Sequence, residues 1–244
     1  MCGRFSQQRP ASELAEIFAA QPLADELGPS WNVAPTDEAL VVVQREERRA
    51  VVAYRWGLIP HWAENARVAS RMFNARSETL ATSPAFADAV RRKRCLIPVD
   101  AFYEWQRIGS RRQPFTIGRS DGRPLALAGL WSGWRDPERD AVIRTFTIVT
   151  TGPNEQMLGL HDRMPVVMPD DAWARWLDPD VTDVGELQGL FEPSDEVALR
   201  IQPVRDLVNN VRNNGPELVE PIDLADVRDV ARRAAAARPV GLFD

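Results

Sequence analysis

Apolar and polar positions along the chain change period several times, and each change predicts an element. Pro10 to Ala20 sets Leu14, Ile17 and Phe18 on one face at helical spacing. Ala39–Gln44 and Ala50–Trp56 are β-branched runs separated by the charged Arg45–Arg49, the pattern of a hairpin. Ser83-Pro84 offers a cap and a first-turn proline for a helix running through Phe86 and Val90 to Arg91-Arg92-Lys93-Arg94. Cys95–Val99, Phe115–Gly118, Leu125–Trp131, Ile143–Thr150, Pro165–Met168 and Leu199–Val204 read as strands. Asp170 or Asp171 is expected to cap a helix that carries Trp173, Trp176 and Leu177. Short strands, few helices and no repeat or low-complexity linker predict one α+β domain over residues 1–221. Residues 222–244, with a polar-alanine stretch from Val227 to Ala237, read as an appended helical tail.

Composition adds exclusions. The chain has 244 residues, 44% hydrophobic and 27% charged, which fits a globular domain with an ample core. No apolar run approaches the roughly 18 residues of a membrane span. Two cysteines, Cys2 and Cys95, make no disulfide scaffold and fit a reducing compartment. Met1-Cys2-Gly3-Arg4-Phe5-Ser6 lacks the basic and apolar regions of a signal peptide, so the expected location is the cytoplasm, at the nucleoid.

The formal net charge of -5 argues, as an average, against a nucleic-acid partner. That average hides an asymmetry. Residues 1–135 carry 19 basic against 14 acidic side chains, and residues 136–244 carry 11 against 21. All but one of the cations are arginine, the exception being Lys93. Arginine forks grip phosphates and stack on bases, although a coding bias gives the same count.

Cys2 is the most informative single residue. If Met1 is trimmed, a thiol and a free α-amine with a pKa of about 7.7–8.0 share one carbon skeleton. Such an aminothiol can attack an acyl carbon with its own amine as base. It can also form a Schiff base with an aldehyde, which the thiol then closes to a five-membered thiazolidine. An internal cysteine cannot do the latter, and a passive buried cysteine is the competing reading. Glu104, flanked by Phe102, Tyr103 and Trp105, is a carboxylate whose desolvation would suit proton transfer; a rim glutamate would look the same. His161 precedes a strand and is either a hydrogen-bonded structural residue or a catalyst; His61 reads as a loop residue. The histidines and cysteines share no metal-ligand spacing, and the glycines form no phosphate loop, so neither metal nor cofactor is expected.

Taken in order, several segments resemble one family. They are Met1-Cys2-Gly3-Arg4-Phe5, Trp31-Asn32-Val33-Ala34-Pro35-Thr36, Arg55-Trp56-Gly57-Leu58-Ile59-Pro60 and Asn74-Ala75-Arg76-Ser77-Glu78-Thr79. Phe102-Tyr103-Glu104-Trp105, His161-Asp162-Arg163-Met164-Pro165 and Val211-Arg212-Asn213 continue the series. The chain resembles the SOS-response-associated peptidase (SRAP) family from Cys2 to about Pro221. The resemblance implies a compact, mostly antiparallel, barrel-like sheet with peripheral helices and a cleft for single-stranded DNA carrying an abasic site. It implies a thiazolidine DNA-protein cross-link through Cys2, with Asn74 holding the amine and Glu104 shuttling protons. His161 would assist sugar opening and reversal. Arg4, Arg76 and Arg163 match phosphate-contacting positions, and Asn32 and Pro35 fall in a matched DNA-facing segment. Thr150 matches a hydroxyl near the site. Trp62 matches a loop that wedges beside the lesion, but Ala63 stands where the family often has a second tryptophan.

The same resemblance implies self-processing peptidase chemistry and weak lyase activity, in a monomer. Two other classes stay open at this stage. One is an N-terminal-cysteine hydrolase or amidotransferase, and the other a non-catalytic single-stranded DNA-binding module. Gly241-Leu242-Phe243-Asp244 is similar to short Leu-Phe peptides that dock replication clamps, though it lacks their preceding glutamine; a frayed helical end is the alternative.

Overall fold

The computed structural model describes residues 2–24, 27–109 and 111–225. In chain order the early strands are β1 (Phe5–Gln7), β2 (Ala20–Pro22), β3 (Ser30–Val33), β4 (Glu38–Arg45), β5 (Arg48–Trp56) and β6 (Asn74–Arg76). The later ones are β7 (Arg94–Val99), β8 (Ala101–Ile108), β9 (Arg111–Arg119), β10 (Leu125–Asp136), β11 (Ala141–Thr151), β12 (Met164–Pro165) and β13 (Leu199–Pro203). The helices α1 (Ala11–Ile17), α2 (Ala87–Arg92) and α3 (Trp173–Leu177) are short. No described helix is long and apolar enough to cross a membrane.

Five strands close into a barrel. β5, β4, β7, β10 and β11 pair antiparallel in that order, and β11 returns to β5 in parallel through Thr145↔Arg55 and Phe146↔Trp56. Closure leaves these five strands without a free edge. A second sheet, in the order β13-β9-β8-β1-β3, lies against it. The expected α+β architecture with a mostly antiparallel, barrel-like sheet is therefore present.

β4 explains why its sequence is a continuous apolar run rather than an alternation. Ala39, Val41 and Val43 join a cluster with Phe5, Phe102 and Ile117 of the second sheet, while Leu40 and Val42 join one with α1 and α3. Both faces are covered, so both parities are apolar. Phe18, just after α1, stacks on Trp173 of α3 with ring centroids 4.3 Å apart. Gly129 shows how tightly the barrel packs: an added Cβ would lie 2.2 Å from Ile97 Cδ1 and 2.8 Å from the Thr147 carbonyl oxygen.

Two helix starts differ from expectation. Ser83-Pro84 does not open a helix. The backbone carbonyl of Ser83 accepts from Phe86 and Ala87, and α2 begins at Ala87 without a side-chain cap. It also ends before Arg94, whose buried guanidinium donates to the carbonyls of Val90, Arg91 and Trp176 and anchors β7. Neither Asp170 nor Asp171 caps α3, because a 3-10 turn over Asp170–Ala172 intervenes. Asp170 instead accepts from Arg119 and Arg123.

Toward the C-terminal side, Val204 bridges Pro221, the Ile222 amide donates to the Pro203 carbonyl at 2.9 Å, and Leu224 packs on the second-sheet cluster. The expected Val227–Ala237 helix and the Gly241–Asp244 clamp-like end lie outside the described residues.

Candidate active site

Cys2 lies immediately ahead of β1, fully buried, with Sγ 4.0 Å from the Arg4 carbonyl oxygen. What faces it is set by β6, a three-residue strand parallel to β11 in the register Asn74↔Ile148 and Arg76↔Thr150. The turn into β6 is held at Phe73, whose carbonyl accepts from Trp56 Nε1 at 2.8 Å and from the Ile148 amide at 3.1 Å. Asn74 Nδ2 then donates to the Cys2 carbonyl at 2.7 Å. Its Oδ1 is buried and has no hydrogen-bond partner among the described residues. An acceptor left in that condition is costly unless a donor arrives.

Glu104 comes from β8, two positions beyond Phe102, which pairs with Phe5 of β1. Its side chain is buried, and desolvation pushes its carboxyl up to about 7, so it exchanges protons near neutrality. His161 Nε2 is 3.7 Å from Glu104 Oε2. The imidazole Nδ1 is 3.0 Å from Asp162 Oδ1 and accepts from the Arg163 amide at 3.0 Å. Burial lowers the His161 pKa, and the nearby Arg112 cation acts in the same direction, so the ring is neutral at pH 7. Burial, and then the charge of Glu104, raises the Cys2 thiol well above its usual range. The thiol is therefore neutral at rest and needs a base to become a nucleophile.

A second layer adjoins this group. Arg163 reaches both carboxylate oxygens of Glu78 and donates to the Thr150 carbonyl at 2.8 Å. Its guanidinium holds Glu78 down to about 2. Thr150 is buried, whereas Arg76, its neighbour across the strand, is exposed.

The remaining expected residues sit elsewhere. Arg4 donates to Asn32 Oδ1 at 2.7 Å and to the Val208 carbonyl at 2.8 Å. Asn32 is buried and donates to the carbonyls of Asn210 and Asn213. Both side chains thus tie the β1 and β3 region to the 206–213 turn. Pro35 is half-buried and precedes Thr36, which has φ 85° and donates its amide to the Trp56 carbonyl at 2.8 Å. Trp62 is 54% exposed. Ala63 beside it is buried with Ile59 and Ala69, and its carbonyl accepts from Trp134 Nε1 at 2.6 Å, so a second tryptophan there would displace packed neighbours.

Sequence reading gave no role to Glu78, Asp162 or Arg112. Glu78 and Asp162 lie inside quoted motifs, one beside Arg76 and one between His161 and Arg163, and that adjacency was the available signal. Among the described residues no group of His, Cys, Asp and Glu could hold a metal.

Comparison with known proteins identifies the family of the chain. The SOS response associated peptidase (SRAP) family matches residues 1–211. The abasic site processing protein YoqW of Bacillus subtilis is 40% identical, over 90% of this chain and 99% of its own length. The abasic site processing protein YedK of Escherichia coli is 30% identical over 91% of this chain and all of its own. A crystal structure from Bordetella bronchiseptica superposes with TM-score 0.70 at 27% identity, covering 84% of this chain and all of that one. A crystal structure from Bacteroides thetaiotaomicron reaches TM-score 0.83 at 23% identity, over 91% of this chain and all of that one, which speaks for the fold. On the family match and the curated relatives together, the chain belongs to the SOS response associated peptidase (SRAP) family.

Proposed function

We propose that this protein processes abasic sites in single-stranded DNA by forming a covalent thiazolidine through Cys2 once Met1 has been removed. The relatives named above supply the substrate class. The observation that carries the chemistry is the meeting of Asn74 and His161 with the buried Cys2 and Glu104.

An abasic sugar opens to an aldehyde at C1′. His161, neutral and beside Glu104, suits the exchange of protons between the hemiacetal hydroxyl and the ring oxygen. The Cys2 amine adds to C1′ and gives a carbinolamine, whose hydroxyl leaves as water after protonation by Glu104. The imine remains. The Cys2 thiol then adds to C1′, giving its proton to the carboxylate of Glu104, while the imine nitrogen takes up a proton. One water is lost in all. The unpartnered Oδ1 of Asn74 is available to accept from the Cys2 amine and hold it on line.

Ring closure consumes the imine that would otherwise undergo β-elimination, so weak lyase chemistry is confined to conditions in which the thiol cannot close. Self-cleavage of the Met1–Cys2 bond would use the same thiol. Because the lesion lacks a base, no base needs flipping, and phosphate contacts without base readout give sequence independence.

Incubation with abasic single-stranded DNA followed by a denaturing gel tests the reading. A heat-stable shifted band supports it; equal retention of intact and abasic strands, with no shifted band, would overturn it.

A further inference from the structure

The β8–β9 hairpin reaches past both strands that flank it. On one side β1 pairs with Phe102 and Ala101 and makes its last contact where the Tyr103 amide donates to Arg4. On the other, β13 pairs as far as Phe115, and the Val204 amide bonds to Pro114. The ladder nevertheless continues from Trp105↔Pro114 to Ile108↔Arg111, and Gly109 turns it with φ 62°. Two side chains moor the base of this arm. Trp105 Nε1 donates to Asn209 Oδ1 at 2.7 Å, and Gln106 Nε2 donates to the Gly159 carbonyl at 2.8 Å, two residues before His161.

Beyond the moorings the tip carries Arg107, Arg111 and Arg112, all exposed. No salt bridge or side-chain hydrogen bond joins any of the three to a described residue. Arg107 and Arg112 are directly opposed in register, a like-charge pair that works against the hairpin it sits on. Arg111 lies on the other face with Ile108, so cations cover both faces of the tip. Arg112 is also close enough to His161 to disfavour its protonation. Some surface arginines, such as Arg9, Arg119, Arg123 and Arg135, are matched to carboxylates, and others, such as Arg67 and Arg76, make no salt bridge to a described residue; the tip differs in holding three such cations on one hairpin, one of them near His161. Three unmatched cations on an unsupported arm, rooted two residues from Glu104, are what a polyanion passing the site would neutralise.

We infer that the β8–β9 arm binds the phosphate backbone of the strand on one side of the lesion, through Arg107, Arg111 and Arg112. The inference rests on the proposed abasic-site function, since that function places a DNA strand at Glu104 and His161. The arm contacts no base and therefore adds affinity without sequence preference. It acts on strand capture and leaves the cross-linking step to the buried group.

The test uses full-length protein and single-stranded oligonucleotides carrying a tetrahydrofuran abasic analogue, which has no aldehyde. Binding of the wild type and of the Arg107→Gln, Arg111→Gln, Arg112→Gln triple variant is measured against salt concentration. The variant should bind more weakly, with a salt slope shallower by about 2, at about 0.7 per phosphate contact on a single strand. The difference should vanish when the strand is shortened on one side of the lesion and persist when it is shortened on the other. Single Arg111→Gln and Arg112→Gln variants carry the same comparison should the triple variant fold poorly. Equal affinity and equal slope for wild type and variants would overturn the arm's role. A wild type that leaves true abasic strands without adduct would overturn the proposed function instead.

Discussion

His161 Nε2 lies 3.7 Å from Glu104 Oε2, with Cys2 buried beside them. The carboxyl is pushed up to about 7 by burial, and the imidazole is pushed down by the same cause, so near neutral pH a carboxyl poised between its acid and base forms faces a neutral imidazole. Thiazolidine formation needs both functions in turn, an acid to expel water and a base to take the thiol proton.

This arrangement has a thermodynamic signature. Glu104 titrates near 7 folded against 4.5 as the unperturbed value, so the folded state binds its proton more tightly. Below pH 4.5 the group is protonated in both states and costs nothing. As pH rises from there to 7 the unfolded chain ionises first and stability falls, with a full cost of about 3 kcal/mol above 7. Glu104→Gln should therefore gain in melting temperature over the wild type as pH is raised from 5 to 8, while cross-linking slows sharply. A melting-temperature difference that stays flat across that range would remove the raised carboxyl from the account.

Asn74 is expected to matter through orientation. Asn74→Ala removes the 2.7 Å hydrogen bond to the Cys2 carbonyl, an interaction worth about 1 kcal/mol. The modest stability loss should accompany a much larger fall in cross-linking rate, measured by single-turnover gel assays at saturating DNA. Equal losses in both would mark Asn74 as structural only.

Asn32 is buried, and its side chain is engaged on both its oxygen and its nitrogen. Asn32→Ala strips partners from Arg4 and from the carbonyls of Asn210 and Asn213, so calorimetry should show a fall of about 2–3 kcal/mol. An Asn32→Ala protein with native melting temperature and strongly weakened DNA binding would support the ligand-contact reading.

Trp62 makes the opposite case. It is 54% exposed, so Trp62→Ala should leave the melting temperature unchanged. Loss of one stacked base should weaken binding of a tetrahydrofuran-containing strand by about 1–3 kcal/mol, read by anisotropy. Unchanged affinity would dissociate Trp62 from the DNA.

These contrasts show what was legible in the chain. The hairpin of β4 and β5, the long strands β10 and β11 and the apolar face of α1 follow from local period, because each buries side chains that its own pattern announces. β1, β3 and β6 are three or four residues long, and their pairing is decided by partners far along the chain, such as Ile148 for Asn74. The same limit hid the clamp from Asn32 to the 206–213 turn. Asp170 misled because a strong capping residue was already engaged by Arg119 and Arg123. Cys2, Glu104 and His161 are visible through ordered motifs, whereas the pairing of Glu78 with Arg163 and the β8–β9 arm emerge only in three dimensions. The net charge of -5 says little about DNA, because the cations at issue are set by position.

The central claim is that one residue supplies both the amine and the thiol to C1′ of the lesion. Intact-mass measurement after mixing the protein with abasic single-stranded DNA addresses it directly. The account predicts a wild-type species equal to the chain without Met1 plus the oligonucleotide less one water, stable to heat and borohydride-independent. Cys2→Ala should retain DNA binding and give no heat-stable adduct unless borohydride traps the imine. A heat-stable adduct of that mass class on the Cys2→Ala protein without reductant would contradict it.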